Sequence, residues 1–167
     1  ASGSGLFSSG FSLVPAITLS LETIQVAVGT IDGLNAFSLR VQASNGPSGG
    51  PGSVMENFLV SGQMQAFGWA NPLISVTSVA RPVLQAGSKY WLVAAGEGDA
   101  LAAWNSNSLG LRGSYYSFQG GRDVLIPNQL ISAYRVTGVL TVPEPSTESL
   151  LVLGLVTLAL LRVCTNG

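Results

Sequence analysis

The sequence predicts a mainly β domain, an antiparallel β-sandwich or jelly roll, followed by one C-terminal hydrophobic helix. Residues 1–142 break into short runs in which apolar and polar residues alternate, the period of a half-buried strand. Gly, Pro, Asn and Ser punctuate these runs at close intervals. No segment of helical period and useful length precedes the tail. Short, regularly punctuated strands of this kind bury their apolar faces as packed antiparallel sheets.

Leu19-Ser20-Leu21 and Ile24-Gln25-Val26-Ala27-Val28 both alternate, but out of phase with each other. A bulge near Glu22–Thr23 absorbs that slip. Phe37, Leu39 and Val41 line one face of the next strand, with Ser38, Arg40 and Gln42 on the other. Asn45 to Gly52 is a long turn of Gly, Pro, Ser and Asn. Met55–Val60 and Ile74–Val79 are further strands. Tyr90 to Ala95 is nearly all apolar, which predicts a central strand buried on both faces. Ala102 to Trp104 follows a Gly/Asp turn. In the last strand Leu130, Ser132, Tyr134 and Val136 alternate with Ile131, Ala133, Arg135 and Thr137.

The 167 residues hold one ordinary domain and a tail, so a sizeable core needs no metal or disulfide. Only 9% of residues are charged and the net charge is −1, against a usual charged share near ~25%. No nucleic-acid partner is expected from that balance. The absence of histidine removes the commonest general base, zinc ligand and triad member. The single cysteine, Cys164, permits no internal disulfide. The chain starts at Ala1 without an initiator Met, which reads as a removed export signal or a fragment.

From Val142 the chain reads Val-Pro-Glu-Pro-Ser-Thr-Glu-Ser, and residues 143–149 form an extended linker, because neither proline can donate to a ladder. Leu150–Leu161 follows, apolar on every side, and then Arg162. As a helix this stretch spans roughly 18 Å against a ~30 Å hydrocarbon core. Flanking residues from Ser146 to Cys164 lengthen it, with Arg162 reaching the interface. The alternative is a helix packed onto the β core.

Pro143, Glu144 and Pro145, the helix at Leu150–Leu161 and the basic Arg162 together resemble the PEP-CTERM sorting domain. The resemblance covers residues 143–167 and implies an exported protein of a Gram-negative bacterium, on the cell surface or in the extracellular matrix. It also implies processing by a membrane-embedded exosortase, with the helix in the membrane beforehand. Many members end in an Arg cluster, whereas here Arg162 is followed by Val163-Cys164-Thr165-Asn166-Gly167. Leu84 to Val93, with Ala103-Trp104-Asn105-Ser106-Asn107, is similar to the choice-of-anchor domains that precede such tails. That similarity covers roughly residues 11–138 and implies a fold without a shared activity.

Gly46-Pro47-Ser48-Gly49-Gly50 matches a nucleophile elbow in letters only, since the elbow needs a strand-to-helix turn and a His base. Glu97 and Asp99 are two carboxylates on one loop, the minimal pair for a glycoside hydrolase, but sequence neighbours rarely flank a sugar and a solvated turn explains them better. With Asn105 and Asn107 they make a candidate calcium set, the one cofactor considered. Trp91 belongs to the core, whereas Trp69 and Trp104 lie near turn residues and are candidates for stacking on carbohydrate. The expected function is therefore a non-enzymatic surface or matrix protein. An exopolysaccharide-binding module is the alternative and a glycoside hydrolase the distant one. Self-assembly through free strand edges or the tail is a further variant.

Overall fold

The alternating runs fold into thirteen strands in the computed structural model, which describes residues 4–68, 71–119 and 122–141. In chain order these are β1 (Ser4–Leu13), β2 (Leu19–Val26), β3 (Val28–Asp32), β4 (Ala36–Ala43), β5 (Val54–Ser61), β6 (Gln65–Ala66) and β7 (Ile74–Thr77). They continue as β8 (Val83–Leu84), β9 (Tyr90–Glu97), β10 (Leu101–Trp104), β11 (Arg112–Gln119), β12 (Arg122–Leu130) and β13 (Tyr134–Leu140). The only helical turn among the described residues is the 3₁₀ turn Pro47–Gly49. The expected helix Leu150–Leu161 and its linker lie outside the described residues, and among those described no helix is long and apolar enough to cross a membrane.

A six-stranded antiparallel sheet runs β12-β11-β1-β9-β4-β5. Facing it are a sheet ordered β13-β2-β7, with β8 also paired to β2, and a three-stranded sheet β10-β3-β6. The expectation of wholly antiparallel sheets is corrected at one place: β3 and β6 pair in parallel, Gly29 beside Gln65. The core lies between the layers. Phe37, Leu39 and Val41 of β4 and Tyr90 and Leu92 of β9 meet Leu21, Ile24 and Val26 of β2, Ile74 of β7 and Leu84 of β8. Each such side chain contributes about 1.5–3 kcal/mol by leaving water.

The bulge in β2 sits where the alternation slips. Thr23 pairs with Thr137 and Leu21 with Gly138, so Glu22 is the extra residue. That insertion lets Leu21 and Ile24, three apart, both point into the core. Gly138 fits there because a Cβ would approach the Ser20 carbonyl to 2.1 Å.

Strand β9 is central and buried on both faces, as its apolar run requires; Tyr90, Trp91, Leu92 and Val93 are all buried. Its outer face has a lid of its own. The long turn after β4 folds back so that Trp91 Nε1 donates to Gly49 O at 3.1 Å and Ser44 Oγ at 3.3 Å. Tyr116 meets the Trp91 ring edge-on at 6.3 Å, and Lys89 Nζ lies 4.6 Å from the ring centroid.

Two expected strands are each divided. The run 130–137 ends β12 at Leu130 and begins β13 at Tyr134, because residues 131–133 cross from one sheet to another. Their backbone groups are paired on the way: Ile131 N donates to Leu111 O, and Ala133 N to Asn105 O. Ile24–Val28 divides at Ala27, after which Val28 opens β3 and pairs with β10.

Candidate binding cleft

Trp104 ends β10, and its indole is held from two sides. Nε1 donates to Ala133 O at 2.9 Å, and Phe11 meets the ring edge-on at 5.5 Å. The ring is half-buried against the core and its remaining surface lines an open cleft of about 520 Å³. Phe67, Gly68, Asn105 and Ser106 form the other walls. Phe67 follows β6 and is 46% exposed, more than an aromatic ring of an ordinary core.

The loop that carries Phe67 is clipped at several points. Phe67 N donates to Thr30 O, Asn71 Oδ1 accepts from Gly68 N, and Asn71 Nδ2 donates to Ala66 O. Gly29 allows this approach, since a Cβ there would lie 2.7 Å from the Phe67 Cα. Asn105 Nδ2 closes the cleft by donating to Gly68 O at 2.7 Å. Asn105 Oδ1 is buried with no hydrogen-bond partner among the described residues. Trp69 lies outside the described residues; its neighbour Gly68 is the residue that Asn105 holds. Phe67 was not among the candidates read from sequence, although Phe-Gly-Trp is an aromatic pair about a glycine in a turn region.

The calcium candidates are not brought together. Asp99 precedes β10, and Asn105 and Asn107 follow it; four strand residues alone put roughly 13 Å between them. A calcium shell needs its oxygens at about 2.3–2.6 Å from one ion. Their polar atoms also have other work. Asp99 Oδ1 accepts from Leu34 N, Asn107 Oδ1 from Leu109 N and Leu111 N, and Asn107 Nδ2 donates to Leu111 O and Ile131 O. Among the described residues no three His, Cys, Asp or Glu side chains gather as a metal set.

Other carboxylates likewise hold structure. Asp32 accepts from Gly33 N, Asp123 from Tyr116 Oη, and Glu56 from Ser78 Oγ, Val79 N and Ala80 N. Glu97 is half-buried at the end of β9. Ser48 sits in the hairpin turn between β4 and β5 with φ 54°, a strand-to-strand turn rather than an elbow. Burial pushes the Tyr134 phenol up, and burial with the Asp123 hydrogen bond and charge pushes Tyr116 up to about 12. Neither tyrosine lines the cleft.

Pro143, Glu144, Pro145 and Arg162 lie outside the described residues. Comparisons with protein-family models, with curated proteins and with solved structures gave no match. Trp104, Phe67 and Asn105 therefore stand on their own geometry: two partly exposed rings and an amide around an open cleft.

Proposed function

We propose that the chain is a non-enzymatic exported protein of a Gram-negative cell surface or matrix, addressed by a C-terminal sorting tail. The observation that carries this is where the β domain stops. Strand β13, the last strand among the described residues, ends at Leu140, and in sequence the Pro143-Glu144-Pro145 motif follows it within a few residues. An exosortase-type enzyme would read such a motif C-terminal in sequence to the domain that it sorts. Asp99 and Glu56, which hold loop backbone, and Asp123, which accepts from Tyr116, do not line the cleft, and this fits a domain without acid–base work. The choice-of-anchor likeness and a sandwich of jelly-roll type belong to the same proposal. Mass spectrometry of the mature protein from its native host tests it. A C-terminus or modification near Pro143–Pro145 supports processing, and an unmodified chain running to Gly167 overturns it.

Glycan binding is favoured in addition by the Phe67–Trp104 cleft. Ring faces stack on the apolar faces of sugars, and the Asn105 amide and Ser106 hydroxyl supply polar partners at the wall. On a polysaccharide array, Trp104→Ala and Phe67→Ala are expected to abolish binding of the full chain while its circular dichroism is unchanged. Binding that survives both substitutions removes the cleft from consideration. A hydrolase is not proposed, because among the described residues no carboxylate lines the Phe67–Trp104 cleft.

A further inference from the structure

We infer that a second surface, the groove between the start of β9 and the β11–β12 hairpin, binds the carboxylates of an acidic polysaccharide. It takes its ligand class from the glycan reading but uses none of the Phe67–Trp104 residues. The groove has a volume of about 610 Å³, and Ser12, Lys89, Arg112, Ser114, Asn128 and Tyr134 are among its lining residues. Among the described residues no carboxylate lines it. In a chain with only 7 basic residues, two facing one groove without a counter-charge is a local excess.

Both cations are held in place by neutral groups. Lys89 Nζ donates to Ser114 Oγ at 3.3 Å and rests over the Trp91 ring. Arg112 donates through one terminal nitrogen to Asn128 O at 2.9 Å. Each keeps N–H groups over for a ligand, because an ammonium carries three donors and a guanidinium five. Ser114 and Arg112 are two apart on one face of β11, about 7 Å along the strand. The Lys89 ammonium, bonded to Ser114, and the Arg112 side chain thus reach one groove from neighbouring positions, each oriented before binding by a bond within the fold. Guanidinium is the group that takes a carboxylate bidentately.

A glycan fits better than an acidic peptide. A peptide would bind by adding a strand at the edge, and β12 is a poor edge for that. Pro127 lacks the N–H a ladder needs, and Asn128, with φ 56°, turns the backbone aside. The serines and Asn128 instead offer partners for hydroxyls next to the cations.

The test is calorimetric titration of the full chain at low salt with polygalacturonate oligomers, a neutral glucan and polyglutamate. Polygalacturonate is expected to bind, with affinity that falls as salt is added. Lys89→Gln and Arg112→Gln should each weaken it by roughly three- to tenfold. Lys89→Arg, which keeps the charge and the ring contact, should restore it. Arg81→Gln, an exposed cation outside the groove, should leave it unchanged. Absence of polygalacturonate binding overturns the proposal, as does equal weakening by Arg81→Gln, which would mean diffuse charge. Polyglutamate binding as tightly overturns the glycan class. Trp104→Ala separates the two sites: it should remove neutral-glycan binding and spare polygalacturonate, so either site can fail alone.

Discussion

Glu56 belongs to edge strand β5 of the large sheet, yet its carboxylate holds residues that follow β7 in the opposed layer. One oxygen accepts from the Ser78 hydroxyl; the other accepts from Val79 N at 2.7 Å and Ala80 N at 3.0 Å. In Glu56→Ala, Ser78, which is 4% exposed, loses its acceptor, at about 1–3 kcal/mol for a buried group left unpaired. Val79 is 90% exposed, so its amide and that of Ala80 regain water, and their loss is nearer ~1 kcal/mol together. The sum is about 2–4 kcal/mol, a large share of a stability that is typically ~5–15 kcal/mol. Glu56→Gln keeps one carbonyl oxygen for the two amides and should lose about half as much. The assay is urea unfolding of the full chain followed by tryptophan fluorescence. With a slope of about 1–3 kcal/mol per molar urea, Glu56→Ala should move the midpoint down by ~1 M or more. A double-mutant cycle with Ser78→Ala should show a coupling of about 1 kcal/mol. A midpoint for Glu56→Ala indistinguishable from the parent would falsify the inter-sheet clamp.

Three further outcomes follow from the same contacts. Trp91→Phe keeps most of the ring but loses the bonds to Gly49 O and Ser44 Oγ, and should cost about 1–2 kcal/mol. Trp91→Ala should cost about 3–5 kcal/mol, and equal midpoints for the two variants would mean the turn does not depend on the indole. Asn107→Ala removes the side chain that ties Leu109, Leu111 and Ile131, and should lower stability by about 2–3 kcal/mol. Calcium and chelator should leave the parent melting temperature in place; a calcium-dependent rise would contradict the structural role of Asn107. The neutral Tyr116 phenol is favoured in the folded state, since its value rises from 10.0 to about 12. Its contribution is therefore present below pH 10.0 and lost as pH climbs through about 12. Ultraviolet titration should show late phenolates from Tyr116 and Tyr134. Tyr116→Phe should remove one tyrosine's share and Asp123→Asn should move that share to lower pH, and no change in either variant would count against it.

What the sequence made legible follows the physics of each element. The β2 bulge was readable because Leu21 and Ile24 keep their core side chains on either side of Glu22, so the insertion shows as a slip in phase. Strand β9 was readable because burial on both faces leaves a run with hardly a polar residue. Strands β1 and β11 were not, because Ser and Gly fit either face and erase the alternation, and β12 was not, because Pro127 reads as a strand breaker. Their identity comes from partners far away in sequence, as in Phe11 between Leu92 and Tyr115. Ile131 and Ser132 continue a strand-like pattern, but a pattern of side chains does not reveal which sheet the backbone joins.

The candidate site divides along the same line. Trp104 could be singled out by residue type and its polar neighbours, whereas Phe67 becomes part of the cleft only through the parallel pairing of β3 with β6. Asn105 and Asn107 were visible as oxygen donors, yet both amide groups secure backbone in the fold. Lys89 shows the same inversion from the other side. In sequence it is one cation beside a strand; in the fold, Ser114 and Trp91 hold it in the groove that Arg112 also lines, with no carboxylate there among the described residues. In a chain with so few charges, what matters is which of them the fold leaves uncompensated, and that is decided by the pairing of β9, β1 and β11.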